Sequence, residues 1–265
     1  TLVIIMLAGC GIQTTNTPVK LSTSDTLISA HRGATLAAPP NSLEAVKMAI
    51  VHNYDAVEVD PRVNKDGEIY LMHDETVDAT TNGTGKVSDL TSTELDQLLL
   101  KTDGYPEYEN KNVRVPKFKQ VASLLKETNL VLNVDGSKID LTNPVNAKKV
   151  VDILKENNLF ERTFFALNTE REREAFSKMY PGAHMSFIYN SKNGLQNEIN
   201  AANKYKNTFI TIHSNQATDE NISLLKKNNA YYQVYRVDTI EKARRLKSLG
   251  ANILETEEFY PNQLE

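Results

Sequence analysis

Cysteine occurs once in the 265 residues, at Cys10, so no intramolecular disulfide can form. Lysine and arginine are scattered, with no basic stripe, and the net charge is −4. That argues against nucleic acid as a partner. No apolar run approaches the ~20 residues needed to span a bilayer. Low-complexity tracts are missing too, and the 11 glycines and 9 prolines are ordinary for a globular chain. What remains is enough chain for one large core, and a single α/β barrel uses about 250 residues.

At the amino terminus Leu2-Val3-Ile4-Ile5-Met6-Leu7 has the form of the apolar part of a secretory signal, followed by small residues. Leu7-Ala8-Gly9-Cys10 resembles a bacterial lipobox. Residues 1–10 thus read as the end of a truncated lipoprotein signal, with Cys10 as the lipidation site; the alternative is a chance cysteine after a trimmed signal. A diacylated cysteine would anchor the protein stably outside the cytoplasm, since two acyl chains suffice where one is marginal. Residues 11–25, rich in Thr, Ser and Asn, read as a flexible tether.

From residue 26 to 265 short apolar runs alternate with helix-periodic segments, the mark of an α/β fold. Helices are expected over 43–50, 117–127, 145–157, 170–179, 197–204, 219–228 and 240–249, the last stopped by Gly250. The apolar runs add up to nine strand candidates, one more than a (β/α)8 barrel holds. Residues 74–116 have few apolar runs and are expected to form an excursion above the barrel mouth, with 90–100 as its only helix. Asp60–Glu68 is too short for a crossover helix. It is expected to return down the barrel as an extended segment, turning at Lys65-Asp66-Gly67.

The chemistry gathers at three run ends: His31-Arg32-Gly33, Glu58-Val59-Asp60 and His73-Asp74. Buried parallel strands carry functional residues at their carboxyl ends. Glu58 and Asp60 are two apart, so on a strand they share a face. Inside a barrel that pair calls for a hard cation such as calcium or magnesium; on an edge strand both would simply be solvated. Asp135 ends the run Leu130–Val134 in the same way and is a natural third ligand, or else a turn residue before Gly136. Two histidines can abstract and donate protons near neutral pH, and Arg32 can clamp phosphate oxygens or pair with Glu58 or Asp74. His213, at the end of Phe209–Ile212, is a candidate for the border of the site. His52 reads as exposed and His184 as structural.

From about Leu27 to Phe259 these motifs resemble the glycerophosphodiester phosphodiesterase family. The matches are His31-Arg32-Gly33, Glu58-Val59-Asp60, Lys65-Asp66-Gly67, His73-Asp74, Thr81-Asn82-Gly83 and Val115-Pro116. The resemblance implies a TIM-type barrel that cleaves glycerophosphodiesters to glycerol 3-phosphate and an alcohol with one divalent cation, calcium, magnesium or manganese. It implies His31 and His73 as general acid and base, Arg32 on phosphate, and Glu58 and Asp60 on metal. The nucleophile would be water or the substrate's own glycerol hydroxyl. The partners implied are a small or lipid-derived phosphodiester and, through Cys10, a membrane.

Four positions depart from the family pattern. Pro40 stands where a glutamate is usual, and Asp135-Gly136-Ser137 where Glu-x-Lys is usual, so that the lysine is missing unless Lys138 serves from the next position. Tyr235, also at the border of the site, replaces a frequent tryptophan, and Glu255-Thr256-Glu257 replaces a closing Thr-Asp. These departures leave open a larger diester, such as a lysophospholipid or teichoic polymer, or a barrel that binds phosphodiesters without cleaving them.

Overall fold

The computed structural model describes residues 25–264; Cys10, the lipobox and all of the tether but Asp25 lie outside them. The chain begins with β1 (Leu27–Ala30), α1 (Leu43–Val51) and β2 (Ala56–Val59). Two short strands follow, β3 (Pro61–Val63) and β4 (Ile69–Leu71), then α2 (Ser92–Leu95) and α3 (Phe118–Leu125). Strict alternation then sets in: β5 (Val131–Asp135), α4 (Pro144–Glu156), β6 (Thr163–Leu167), α5 (Glu170–Met179) and β7 (His184–Ile188). It continues through α6 (Leu195–Ala202), β8 (Thr208–His213), α7 (Asp219–Lys227), β9 (Tyr232–Tyr235), α8 (Ile240–Ser248) and β10 (Ile253–Thr256). Eight parallel strands close into a ring in the order β1-β10-β9-β8-β7-β6-β5-β2. This is the expected TIM-type barrel.

The helices begin where their side chains can satisfy the first free amides. Ser42, Thr218 and Thr239 each accept a hydrogen bond from the backbone three residues on, and Thr169 with Glu172 forms a reciprocal capping box. Gly250, at φ +87°, turns the chain out of α8 as expected.

Register partners in a parallel sheet point to the same face, so the ring of pairings fixes what lies inside. Leu27, Ala56, Val131, Phe164, Phe209 and Ile253 make an apolar floor, with Phe164 edge-on to Phe209 at 4.9 Å between ring centres. Two residues further along the same strands come Ser29, Glu58, Asn133, Ala166, Thr211 and Glu255, all buried. Two further still come His31, Asp60, Asp135, His213 and Glu257, at or just beyond the strand ends. Along β1, β2, β5, β8 and β10 the interior thus grades from hydrocarbon to polar groups to titratable ones within four residues.

The supernumerary strand is Ile69–Leu71. It pairs antiparallel with β3, Pro61 opposite Leu71, and belongs to a two-stranded sheet outside the ring. The extended segment and its turn at Lys65-Asp66-Gly67 are present as expected, but they form a hairpin outside the ring. Asn64 closes its turn by accepting from the amides of Asp66 and Glu68, and Gly67 takes φ +75°. The tip rests on the outer helices, where Glu68 pairs with Lys119 of α3 and Lys149 of α4 at 3.6 Å each. The reason is length: β3 and β4 need only a tight turn, whereas a stave would need a crossover.

The excursion has a small core of its own, with Val77, Val87, Leu95, Leu100, Val113 and Val115 packed on Tyr70 and Met72. Its expected helix over 90–100 shrinks to α2, because beyond Leu95 the backbone leaves the helix to pair in isolated bridges, Leu99 with Arg114 and Leu100 with Thr81. The Tyr105 hydroxyl ties the excursion to the loop after β1 by donating to the Thr35 carbonyl at 2.9 Å. His52, read as exposed, is half-buried at the end of α1 and stacks on Tyr260 at 4.0 Å.

Candidate active site

The loop after β1 makes a sharp bend. Arg32 takes φ +57° and Gly33 φ +84°, and a Cβ on Gly33 would come within 2.6 Å of the Ala45 side chain in α1. Only glycine lets the loop lie this close to the helix. The bend points the Arg32 amide at Glu58, to which it donates at 2.9 Å, and leaves the Arg32 Nε 3.5 Å from an Asp60 oxygen. That Nε is buried and makes no hydrogen bond among the described residues.

Glu58, Asp60 and Asp135 offer carboxylate oxygens that all lie within 4.8 Å of one another. Glu58 and Asp60 are buried. Burial and repulsion from Asp60, Glu255 and Asp135 push the Glu58 carboxyl well above its usual range; burial also raises Asp60. A set of oxygen donors whose own repulsion is unrelieved fits a hard divalent cation. Asp60 is held from the side by Asn41, whose amide donates at 2.7 Å and whose oxygen accepts from the Asp60 amide at 3.1 Å. Asp135 does both things the sequence allowed: it joins the carboxylate set and accepts from the Ser137 amide at 2.9 Å.

The two histidines reach the site from different supports. His31 Nδ1 is hydrogen-bonded to Glu257, and its Nε2 lies 3.9 Å from Glu58. Burial pulls the His31 pKa down, but the Glu257 hydrogen bond and the Glu255 charge outweigh it, and the net shift is upward. His73 stands at the end of the hairpin, not of a barrel strand. Its Nδ1 lies 2.8 Å from an Asp74 oxygen and its Nε2 3.2 Å from the Lys138 ammonium. Arg62 fixes that segment by donating to the His73 carbonyl at 2.6 Å. Lys138 is also 3.8 Å from Asp135, so a lysine does reach the site from the shifted position. His213 and Tyr235 meet edge to face at 5.0 Å on the far side of the mouth, and His213 lines a pocket there.

Three further groups belong to the site: Asn41, and Glu255 and Glu257, which the sequence marked only as a departure from a closing Thr-Asp. Glu255 is buried beneath the carboxylates, and one of its oxygens accepts from Asn133 at 2.9 Å, Gln233 at 2.8 Å and Ser29 at 3.4 Å. Burial raises its pKa. The signal for both glutamates was the two-residue period itself, since Glu255 stands to Glu257 as Ser29 to His31.

The sequence profile of the Glycerophosphoryl diester phosphodiesterase family matches residues 31–258. The glycerophosphodiester phosphodiesterase of Caldanaerobacter subterraneus subsp. tengcongensis is 31% identical over 166 residues, 62% of this chain and 67% of that one. A glycerophosphodiester phosphodiesterase structure from Agrobacterium tumefaciens superposes with a TM-score of 0.73 at 24% identity, covering 88% of this chain and 96% of that chain. A phosphodiesterase from Oleispira antarctica, solved in complex with the product sn-glycerol-3-phosphate, gives a TM-score of 0.75 at 19% identity, over 90% and 94%. These two structures share the barrel fold, and the profile covers most of the chain, from the first active-site loop to the last. The chain therefore belongs to the glycerophosphoryl diester phosphodiesterase family and is a phosphoric diester hydrolase.

Proposed function

We propose that this protein hydrolyses glycerophosphodiesters to glycerol 3-phosphate and an alcohol, with His73 as general base and His31 as general acid. The observation that carries this reading is the opposed state of the two imidazoles around one carboxylate set. The Lys138 ammonium can only donate, so it marks His73 Nε2 as an acceptor, with the Nδ1 proton directed at Asp74. Glu257 on Nδ1 favours the imidazolium form of His31, leaving an Nε2 proton available.

Phosphoryl transfer needs positioning and charge stabilisation more than covalent chemistry. Glu58, Asp60 and Asp135 would hold a divalent cation: calcium, magnesium or manganese. When bound, it supplies charge neutralisation and polarises a phosphoryl oxygen. Arg32, whose guanidinium lies beside Asp60, binds the non-bridging oxygens. The attacking hydroxyl, of water or of the substrate's glycerol, displaces the Lys138 ammonium from the one lone pair of His73 Nε2 and gives its proton there. His31 Nε2 protonates the leaving oxygen as the P–O bond to the alcohol breaks, and a cyclic phosphate formed by glycerol attack is then opened by water.

The proposal extends to place. Diacylation of Cys10 would anchor the enzyme outside the cytoplasm, and the support is the run Leu7-Ala8-Gly9-Cys10.

The test is release of glycerol 3-phosphate from glycerophosphodiesters, with and without a divalent ion. His31→Ala and His73→Ala should each lower kcat by about 10²–10⁴-fold with Tm little changed. Full activity in either variant, or in chelator, would overturn the assignment. Incorporation of a labelled fatty acid in the cell of origin, lost in Cys10→Ser, tests the anchor.

A further inference from the structure

Beyond Glu257 the mouth opens into a pocket of about 330 Å³, formed where β8, β9 and β10 end. Ser214 and Asn215 supply one wall, Arg236 and Asp238 a second, and Glu258 a third, with Glu257 closing the side toward His31. We propose that this pocket is the subsite for the leaving alcohol and that it is built for a polyol, of the glycerol or inositol class. The proposal rests on the reading above in one respect, that His31 protonates the leaving oxygen.

Position is the first argument. Glu257 belongs both to the pocket and to the hydrogen bond that orients His31, so a group bound there adjoins the residue that protonates the leaving oxygen. The volume lies within the range of small-molecule sites.

Backbone conformation is the second. Among the described residues, eight other than glycine have positive φ; six are asparagines, which tolerate it, and the others are Arg32 at +57° and Arg236 at +55°. An arginine in the left-handed region costs free energy and persists only where its surroundings impose it, as at functional sites. Both arginines stand at the mouth, one beside the carboxylates and one in this pocket. Arg32 is assigned to phosphate; Arg236 has no assigned task.

Chemistry is the third. The pocket presents both signs of charge, the Arg236 guanidinium against Asp238, Glu258 and the His31-bound Glu257, together with the His213 ring and neutral amide and hydroxyl groups. Asp238 already pairs with Lys242 at 2.6 Å, which tempers the acidic side. A cationic head group would face Arg236, and an anionic one the carboxylates. A polyol meets both walls, because each hydroxyl donates one hydrogen bond and accepts others. A quaternary ammonium is held by aromatic faces; no Phe or Tyr lines this pocket and the chain has no Trp.

The experiment compares kcat/KM for glycerophosphoinositol and glycerophosphoglycerol with that for glycerophosphocholine, in the full protein with a divalent ion. The polyol diesters should be favoured by about tenfold or more, since a site built for hydroxyls rejects analogues lacking them. Arg236→Ala and Asn215→Leu should bring the ratio close to one, with Tm confirming that both variants fold. Free myo-inositol should inhibit competitively at concentrations where choline does not. Equal or better cleavage of glycerophosphocholine overturns the polyol subsite, as does a ratio unmoved in folded variants; the phosphodiesterase reading survives either result. Cleavage of none of the diesters overturns both.

Discussion

The floor of the barrel and its mouth are built from the same strands, four residues apart, on opposite energetic principles. The floor is hydrocarbon, with Phe164 fully buried against Phe209, and its atoms gain free energy simply by leaving water. The mouth buries Glu58 and Asp60 together, and both resist ionisation there. One end holds the fold together; the other is tolerated by it. The middle layer mediates, since Glu255, Asn133, Gln233, Thr211 and Ser186 are joined by hydrogen bonds that let polar groups stand on an apolar base.

The contrast breaks most visibly at the floor. Phe164→Ala should cost about 3–5 kcal/mol of stability in a denaturant titration, while molecules still folded keep their rate per active site. A loss of catalysis beyond the loss of folded protein would mean that the two ends are mechanically coupled. At the mouth the sign should reverse. Glu58→Gln removes one like charge from a buried set, and in the absence of divalent ions it should stabilise the protein by about 0.5–2 kcal/mol. The same variant should lose most of the stabilisation that a saturating divalent ion should give the wild type, about 2.7 kcal/mol at a hundredfold excess over Kd. A destabilised Glu58→Gln protein would show that these carboxylates hold the structure as well as the cation.

A smaller effect sharpens the picture of His31. Its pKa is raised, so the imidazolium survives above the ordinary imidazole value, and the alkaline limb of kcat should lie on that side. Glu257→Gln removes the carboxylate that raises it and leaves the burial that lowers it. The limb should then move to lower pH, with kcat reduced about tenfold, the scale of losing a carboxylate that orients a histidine. An unmoved pH profile would separate Glu257 from the proton transfer.

Much of this was legible in the chain. Apolar runs and helical spacing located the ring strands and the outer helices within a few residues, because these segments obey the local rules of burial and capping. His31, Arg32, Glu58, Asp60 and Asp135 come together as their strand ends implied, and His73 joins them by another route. The strand Ile69–Leu71 misled because its sequence is as apolar as a stave's, while the deciding fact is the tight turn that precedes it. Asn41 was hidden because nothing in its neighbourhood announces that its amide will reach back to Asp60. Glu255 was hidden for the opposite reason: a carboxylate in a strand reads as a solvent-facing residue until the register turns it inward.

His73 rides on a hairpin that contributes nothing to closing the ring. It is tied back by the Met72 amide donating to the Asp60 carbonyl at 2.9 Å, by Arg62 and by Lys138. One histidine is thus welded to the frame while the other is mounted on a bracket. With His73 as the proposed base, lengthening, shortening or re-aiming the bracket would alter where the attacking group is activated without reopening the frame. On the proposed roles, the choice of nucleophile could drift independently of the choice of leaving group.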